Sequence, residues 1–76
     1  MQIHKLFADA VGAGAGWSER SKHHALADML TRAGHPIGAR ATEKWSARGN
    51  IPMRWLPIIV NSAAAEGRDI NLNDYL

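Results

Sequence analysis

Apolar residues at Ile3, Leu6, Phe7, Ala10 and Val11 recur at i, i+3, i+4, i+7 and i+8. That spacing lines one face of a helix and predicts a first helix over roughly residues 2–11. The Gly12–Gly16 run, GAGAG, stops it, because glycine costs about 1 kcal/mol at a helical position. Ser18 then offers an N-cap, with Glu19 at the positive end of the following helix. Ala25, Leu26, Met29, Leu30 and Ala33 form the stripe of this second helix. Gly34 suits its left-handed C-terminal end, and Pro36 follows just beyond. A third helix is predicted from Ala39 to about Ala47, closed by Gly49, with Ala41, Thr42 and Trp45 inward and Arg40, Glu43, Lys44 and Arg48 outward. Pro52 suits the first turn of a fourth helix, whose buried side is Trp55, Leu56, Ile58, Ile59 and Ala63 and whose end is Gly67. Pro57 has no amide proton, so it must lie within that first turn or kink the helix. The tail INLNDYL reads as a short strand or as a last helical turn capped by Asn73. No stretch alternates with period two for more than a few residues, and no repeat is present. The pattern therefore predicts an all-α bundle of four to five helices.

The chain has 76 residues, which allows a single domain over residues 1–76. It contains no cysteine and no Cys/His zinc spacing. Stability must then come from a compact core, from dimerisation, or from both. Trp17, Trp45 and Trp55 are expected in that core, since each carries a large apolar area. With 46% hydrophobic and 21% charged residues, the composition is that of a folded domain. The longest apolar run, around Trp55 to Val60, is far short of the roughly 20 residues of a membrane span. The opening MQIHKLFADAV lacks the three-part order of a signal peptide. A soluble cytoplasmic protein with no membrane partner is expected.

Charge is unevenly placed. Residues 1–38 carry +1, residues 39–54 carry Arg40, Lys44, Arg48 and Arg54 against Glu43 for +3, and residues 55–76 carry −2. A local positive excess is what contact with a polyanion needs, although a solvated helix face would cluster charge in the same way. Catalytic chemistry is poorly represented. There is no cysteine nucleophile and no Gly-flanked serine of the elbow type, and the carboxylates are scattered. GAGAG lacks the Lys-Ser/Thr pair and the preceding strand of a phosphate loop. His23 and His24 are adjacent, so a helix points them about 100° apart, which is wrong for joint chelation. The four histidines are expected to be exposed or capping. No enzymatic activity, metal or cofactor is expected.

The segment Ala25–Pro52, ALADMLTRAGHPIGARATEKWSARGNIP, carries the most information. Two helices flank a glycine-containing turn, and the second presents basic residues outward. A helix-turn-helix has this layout, with its second helix in the DNA major groove. Ala27 is small where the helices would cross, Gly34 serves the turn, and Trp45 anchors the back of the second helix. Arg40 and Lys44 are long donors on its front, able to reach base edges. Lys22, near the start of the second helix, is placed to meet a backbone phosphate. Glu43 has two readings: it pairs with Arg40 or Arg48 on its own helix, or it accepts a hydrogen bond from the amino group of cytosine.

The string TEKWSARGNIPMRW resembles the W-x-x-R-G-x-I-P stretch of small Cro-like regulators of phages and integrated mobile elements, within the Cro/CI helix-turn-helix family. Trp45, Arg48, Gly49, Ile51 and Pro52 carry the likeness, which covers roughly residues 24–63. The resemblance implies a lambda-repressor/Cro-like fold and a bacterial or phage-encoded, nucleoid-associated transcriptional regulator, a repressor that binds double-stranded operator DNA. Ala39, Arg40, Glu43 and Lys44 would face bases, and Lys22, Arg48, Asn50 and Arg54 would face phosphates. The turn departs from the family pattern. Gly34 is the seventh residue after Ala27 rather than the fourth, so the first helix is longer or the turn wider than the pattern, and Gly38 stands where a Ser or Thr cap is usual. One such helix reads only a few base pairs, so a homodimer on an inverted repeat is expected, with residues 53–76 as the dimer segment. Two other readings stand beside this one: a helical protein-interaction module, and a DNA-bending accessory factor for recombination.

Overall fold

The computed structural model describes all 76 residues. Its elements are α1 (Ile3–Val11), α2 (Glu19–Arg32), α3 (Ala39–Arg48), α4 (Trp55–Ala65) and a terminal 3-10 turn (Leu72–Tyr75), with no strand. The five stripe residues of α1 are all buried, and Leu6 and Phe7 are almost wholly inaccessible. Complete burial of each such side chain stabilises the fold by about 1.5–3 kcal/mol. Leu26, Met29 and Leu30 of α2, Trp45 of α3, and Ile59 and Ala63 of α4 close around them, with Ile51, Ile70 and Tyr75 completing the core. The radius of gyration is 11.0 Å, close to the roughly 11 Å of a folded domain of this length.

Each helix ends at a glycine with positive φ. At the end of α2 the geometry is a Schellman motif. Gly34, with φ of 92°, donates its amide to Thr31, and the amide of His35 donates to Leu30 at 2.9 Å. Ala33 is the C-cap and is exposed, so the buried stripe stops at Leu30. The link from α2 to α3 is the six-residue segment Ala33–Gly38, and α2 packs more extensively on α3 than on any other element.

Three expectations are corrected. Helix α4 starts at Trp55, and Pro52 belongs to the preceding turn, where the amides of Trp55 and Leu56 donate to Pro52 and Met53. This start puts Pro57 at the third helical position, where its missing N–H has no intrahelical partner to lose. The tail is a 3-10 turn capped by Asn71, whose side chain accepts from the amide of Asn73. Trp17 is 41% exposed rather than in the core. It directly precedes the Ser18 N-cap, where an apolar residue packs against the fourth helical position. That position is Lys22, which turns instead to Glu19, so Trp17 has no apolar partner there. Trp45 is buried and Trp55 half-buried, their rings 5.4 Å apart.

The tail returns to α1. The amide of Gln2 donates to Tyr75 at 2.6 Å, and the Tyr75 hydroxyl donates to the Asp9 carboxylate. Arg68 Nε donates to the Ala10 carbonyl at 2.6 Å, while its Nη2 lies 2.8 Å from Glu66. Glu66 also accepts from both Nε and Nη2 of Arg32. Burial raises the Glu66 carboxyl, but the hydrogen bonds from Arg32 and Arg68 outweigh it and hold the group below its ordinary value. Ile70 and Tyr75, which lie within the segment expected to dimerise, are buried in the chain's own core. No helix is long and apolar enough to cross a membrane.

Candidate nucleic-acid interface

Helix α3 is amphipathic in the sense its sequence predicts. Thr42 and Trp45 are buried, and Ala41 is half-buried beside them. Thr42 locks the helix to α2: its hydroxyl lies 2.9 Å from the His23 carbonyl and 2.9 Å from that of Ala39, two acceptors for one proton. Trp45 meets Trp55 of α4 on the other flank. With the back of α3 held from both sides, Arg40, Glu43, Lys44 and Arg48 are exposed on its front, and Ala39 is half-buried at its start. Gly38 provides no side-chain cap for the first turn.

The charges on this front are not internally neutralised. The ion pairs of the protein are Lys22–Glu19, Arg32–Glu66 and Arg68–Glu66, and His4 is in hydrogen-bond contact with Glu19. None involves Arg40, Glu43, Lys44, Arg48 or Arg54, so Glu43 does not pair with Arg40 or Arg48 along the helix. Asn50 is exposed just past the end of α3, where its amide donates to the Trp45 carbonyl at 3.0 Å. The Arg54 guanidinium lies 5.3 Å from the Trp55 ring centroid. A stacked guanidinium of this kind keeps its donors at the surface while losing little further freedom on binding.

Lys22 lies on α2, and its surroundings differ from the simple phosphate contact expected. Its Nζ is 2.9 Å from Glu19 Oε1, and its side chain is only 18% exposed. The second Glu19 oxygen lies 3.2 Å from His4 Nδ1, which in turn is 3.3 Å from Ser46 Oγ of α3. The Lys22 hydrogen bond is the main cause that holds the Glu19 carboxyl below its ordinary value. This junction ties the first turns of α1 and α2 to the exposed edge of α3. Sequence reasoning missed it because His4 is 42 residues from Ser46, and no local pattern links them.

The histidines divide. His4, His24 and His35 are exposed, but His23 is buried, its ring edge-on to Phe7 at 5.8 Å. Its position on the α2 face that receives both α1 and α3 removes it from solvent, which corrects the expectation of four surface histidines. No group of three His, Cys, Asp or Glu side chains is placed to hold a metal ion.

No family model, curated protein or solved structure matches the chain. The likeness to Cro-like regulators rests on the residues quoted above.

Proposed function

We propose that this protein is a sequence-specific double-stranded DNA-binding regulator, a Cro-like repressor in which α2 and α3 act as a helix-turn-helix. The observation that carries the reading is the exposed front of α3, where Arg40, Lys44 and Arg48 have no ion-pair partner. Unpaired cations on one rigid helix supply both the phosphate attraction and the base-edge donors of major-groove recognition. In this reading Ala39, Arg40, Glu43 and Lys44 face bases, and Lys22, Arg48, Asn50 and Arg54 face phosphates. The link between α2 and α3 is wide for such a motif, but the Thr42–His23 bond and the α2–α3 packing give the pair the rigidity that groove docking requires.

The repressor works as a homodimer on an inverted repeat. Helix α4 supports this, because WLPIIVNSAAA contains no charged residue. Leu56, Ile58 and Val60 are only half-buried, and Met53 just before the helix is 84% exposed. A surface helix apolar on both sides has a face left for a partner. The tail, folded against α1, contributes little beyond Leu76, which is 78% exposed.

Selection of binding sites from a pool of random duplexes, followed by gel shift, tests the proposal. Enrichment of an inverted repeat is expected, with affinity for it lost about 10- to 100-fold in Arg40→Ala. Failure of any duplex to enrich would overturn it.

A further inference from the structure

Lys22 is the one cation expected at phosphate that is ion-paired within the chain, and its partner is itself held by α1. Glu19 Oε1 lies 2.9 Å from Lys22 Nζ, and Glu19 Oε2 lies 3.2 Å from His4 Nδ1. A carboxylate oxygen at this distance offers an ammonium the same contact as a phosphate oxygen. The four cations of residues 39–54 have no such occupant. We propose that Glu19 is an affinity-setting residue, whose carboxylate stands in for a DNA phosphate on Lys22 and must be displaced before Lys22 can engage the backbone. The proposal rests on the DNA-binding reading above.

The geometry allows the exchange without unfolding. Glu19 is about half exposed, so solvent and a phosphate can both reach the pair. When Lys22 turns to a phosphate, the second oxygen keeps Glu19 on His4, and the junction with Ser46 of α3 persists. The carboxylate itself remains near the duplex as a like charge. The result is weaker attraction to the backbone of every sequence, with base contacts from α3 left intact. Such a device limits capture of the protein by the excess of non-specific DNA.

The test is a double-mutant cycle on the full chain, with duplexes of selected and of random sequence. Removing one unit charge about 7 Å from a phosphate in a water-like dielectric corresponds to roughly a threefold change. Glu19→Gln should therefore bind both duplexes about threefold tighter or more at low salt. The slope of log affinity against log salt should steepen by up to about 0.9, because Glu19 holds Lys22 off the phosphate in part of the bound population and the variant does not. In the background of Lys22→Met, the steepening should vanish. A purely structural role for Glu19, as the acid in the first turn of α2, gives the opposite sign: a lower Tm and weaker binding. Unchanged or weaker binding by Glu19→Gln, or a steepening that survives in the double variant, would overturn the proposal alone. If the unmutated protein binds no duplex, the DNA-binding reading fails and this inference fails with it.

Discussion

The Thr42 hydroxyl of α3 sits 2.9 Å from the backbone carbonyl of His23 in α2, fully buried, and is the polar contact that joins the two helices across their interface. Thr42→Val keeps the volume and removes the donor. It should lower stability by about 1 kcal/mol, which for a domain of this size lowers Tm by about 4–8 °C. Thermal unfolding followed by circular dichroism measures this, and an unchanged Tm would show that the hydroxyl contributes nothing.

Trp45 is 7% exposed, and its ring lies against that of Trp55. Trp45→Ala should destabilise by about 3–5 kcal/mol, enough to unfold much of so small a domain. Urea titration monitored by far-ultraviolet dichroism checks this. A Trp45→Ala protein with an unaltered urea midpoint would contradict the placement of this side chain in the core.

Arg48 and Arg54 differ from Arg40 in the role proposed for them. Alanine at either should weaken binding to all duplexes alike and reduce the salt slope by about 0.9. Fluorescence anisotropy over a salt series, on selected and random DNA, makes the comparison. A loss confined to the selected site would reassign the residue to base reading.

Tyr75 provides an alkaline signature. Its hydrogen bond to Asp9, aided by burial, pushes the phenol up to about 12. The unfolded chain binds this proton less tightly, with the ordinary phenol value near 10. The stabilisation is therefore complete below about pH 10 and is lost as pH rises through about 12. Tyr75→Phe should remove that loss from the stability profile, and should itself lower stability at neutral pH by about 1.5 kcal/mol. Chemical denaturation midpoints from pH 8 to 12 (about two units either side of the ordinary value) would show both effects, and identical profiles for the two proteins would refute the assignment.

At the acid end, Glu66 titrates below its ordinary value because Arg32 and Arg68 together outweigh its burial. A depressed carboxylate stabilises the fold above its unfolded value, and that contribution fades as pH falls through the folded one. Glu66→Gln should flatten this part of the acid stability profile. A profile as steep as that of the unmutated chain would mean that the Arg32 and Arg68 contacts carry no net stability.

The helices were legible wherever local pattern and local chemistry agree. The stripe of α1, the Ser18 cap, the Gly34 and Gly49 ends, and the inward Thr42 and Trp45 of α3 each depend on residues within a few positions of one another, so 3.6-residue periodicity and capping rules determine them. The outward placement of Arg40, Glu43, Lys44 and Arg48 follows from the same periodicity, because burying Trp45 on one side forces them to the other. What the sequence by itself did not determine depends on distant partners. Trp17 is as apolar as Trp45, but only the folded chain shows that its neighbouring fourth helical position, Lys22, belongs to Glu19. Tyr75 was available to either a core or a partner, and contact with Asp9, 66 residues away, decided for the core. The bridge from Lys22 through Glu19 and His4 to Ser46 joins three helices whose adjacency no local rule encodes. Tertiary packing decides such matters because a side chain's free energy depends on what surrounds it, and those surroundings exist only once the helices have docked.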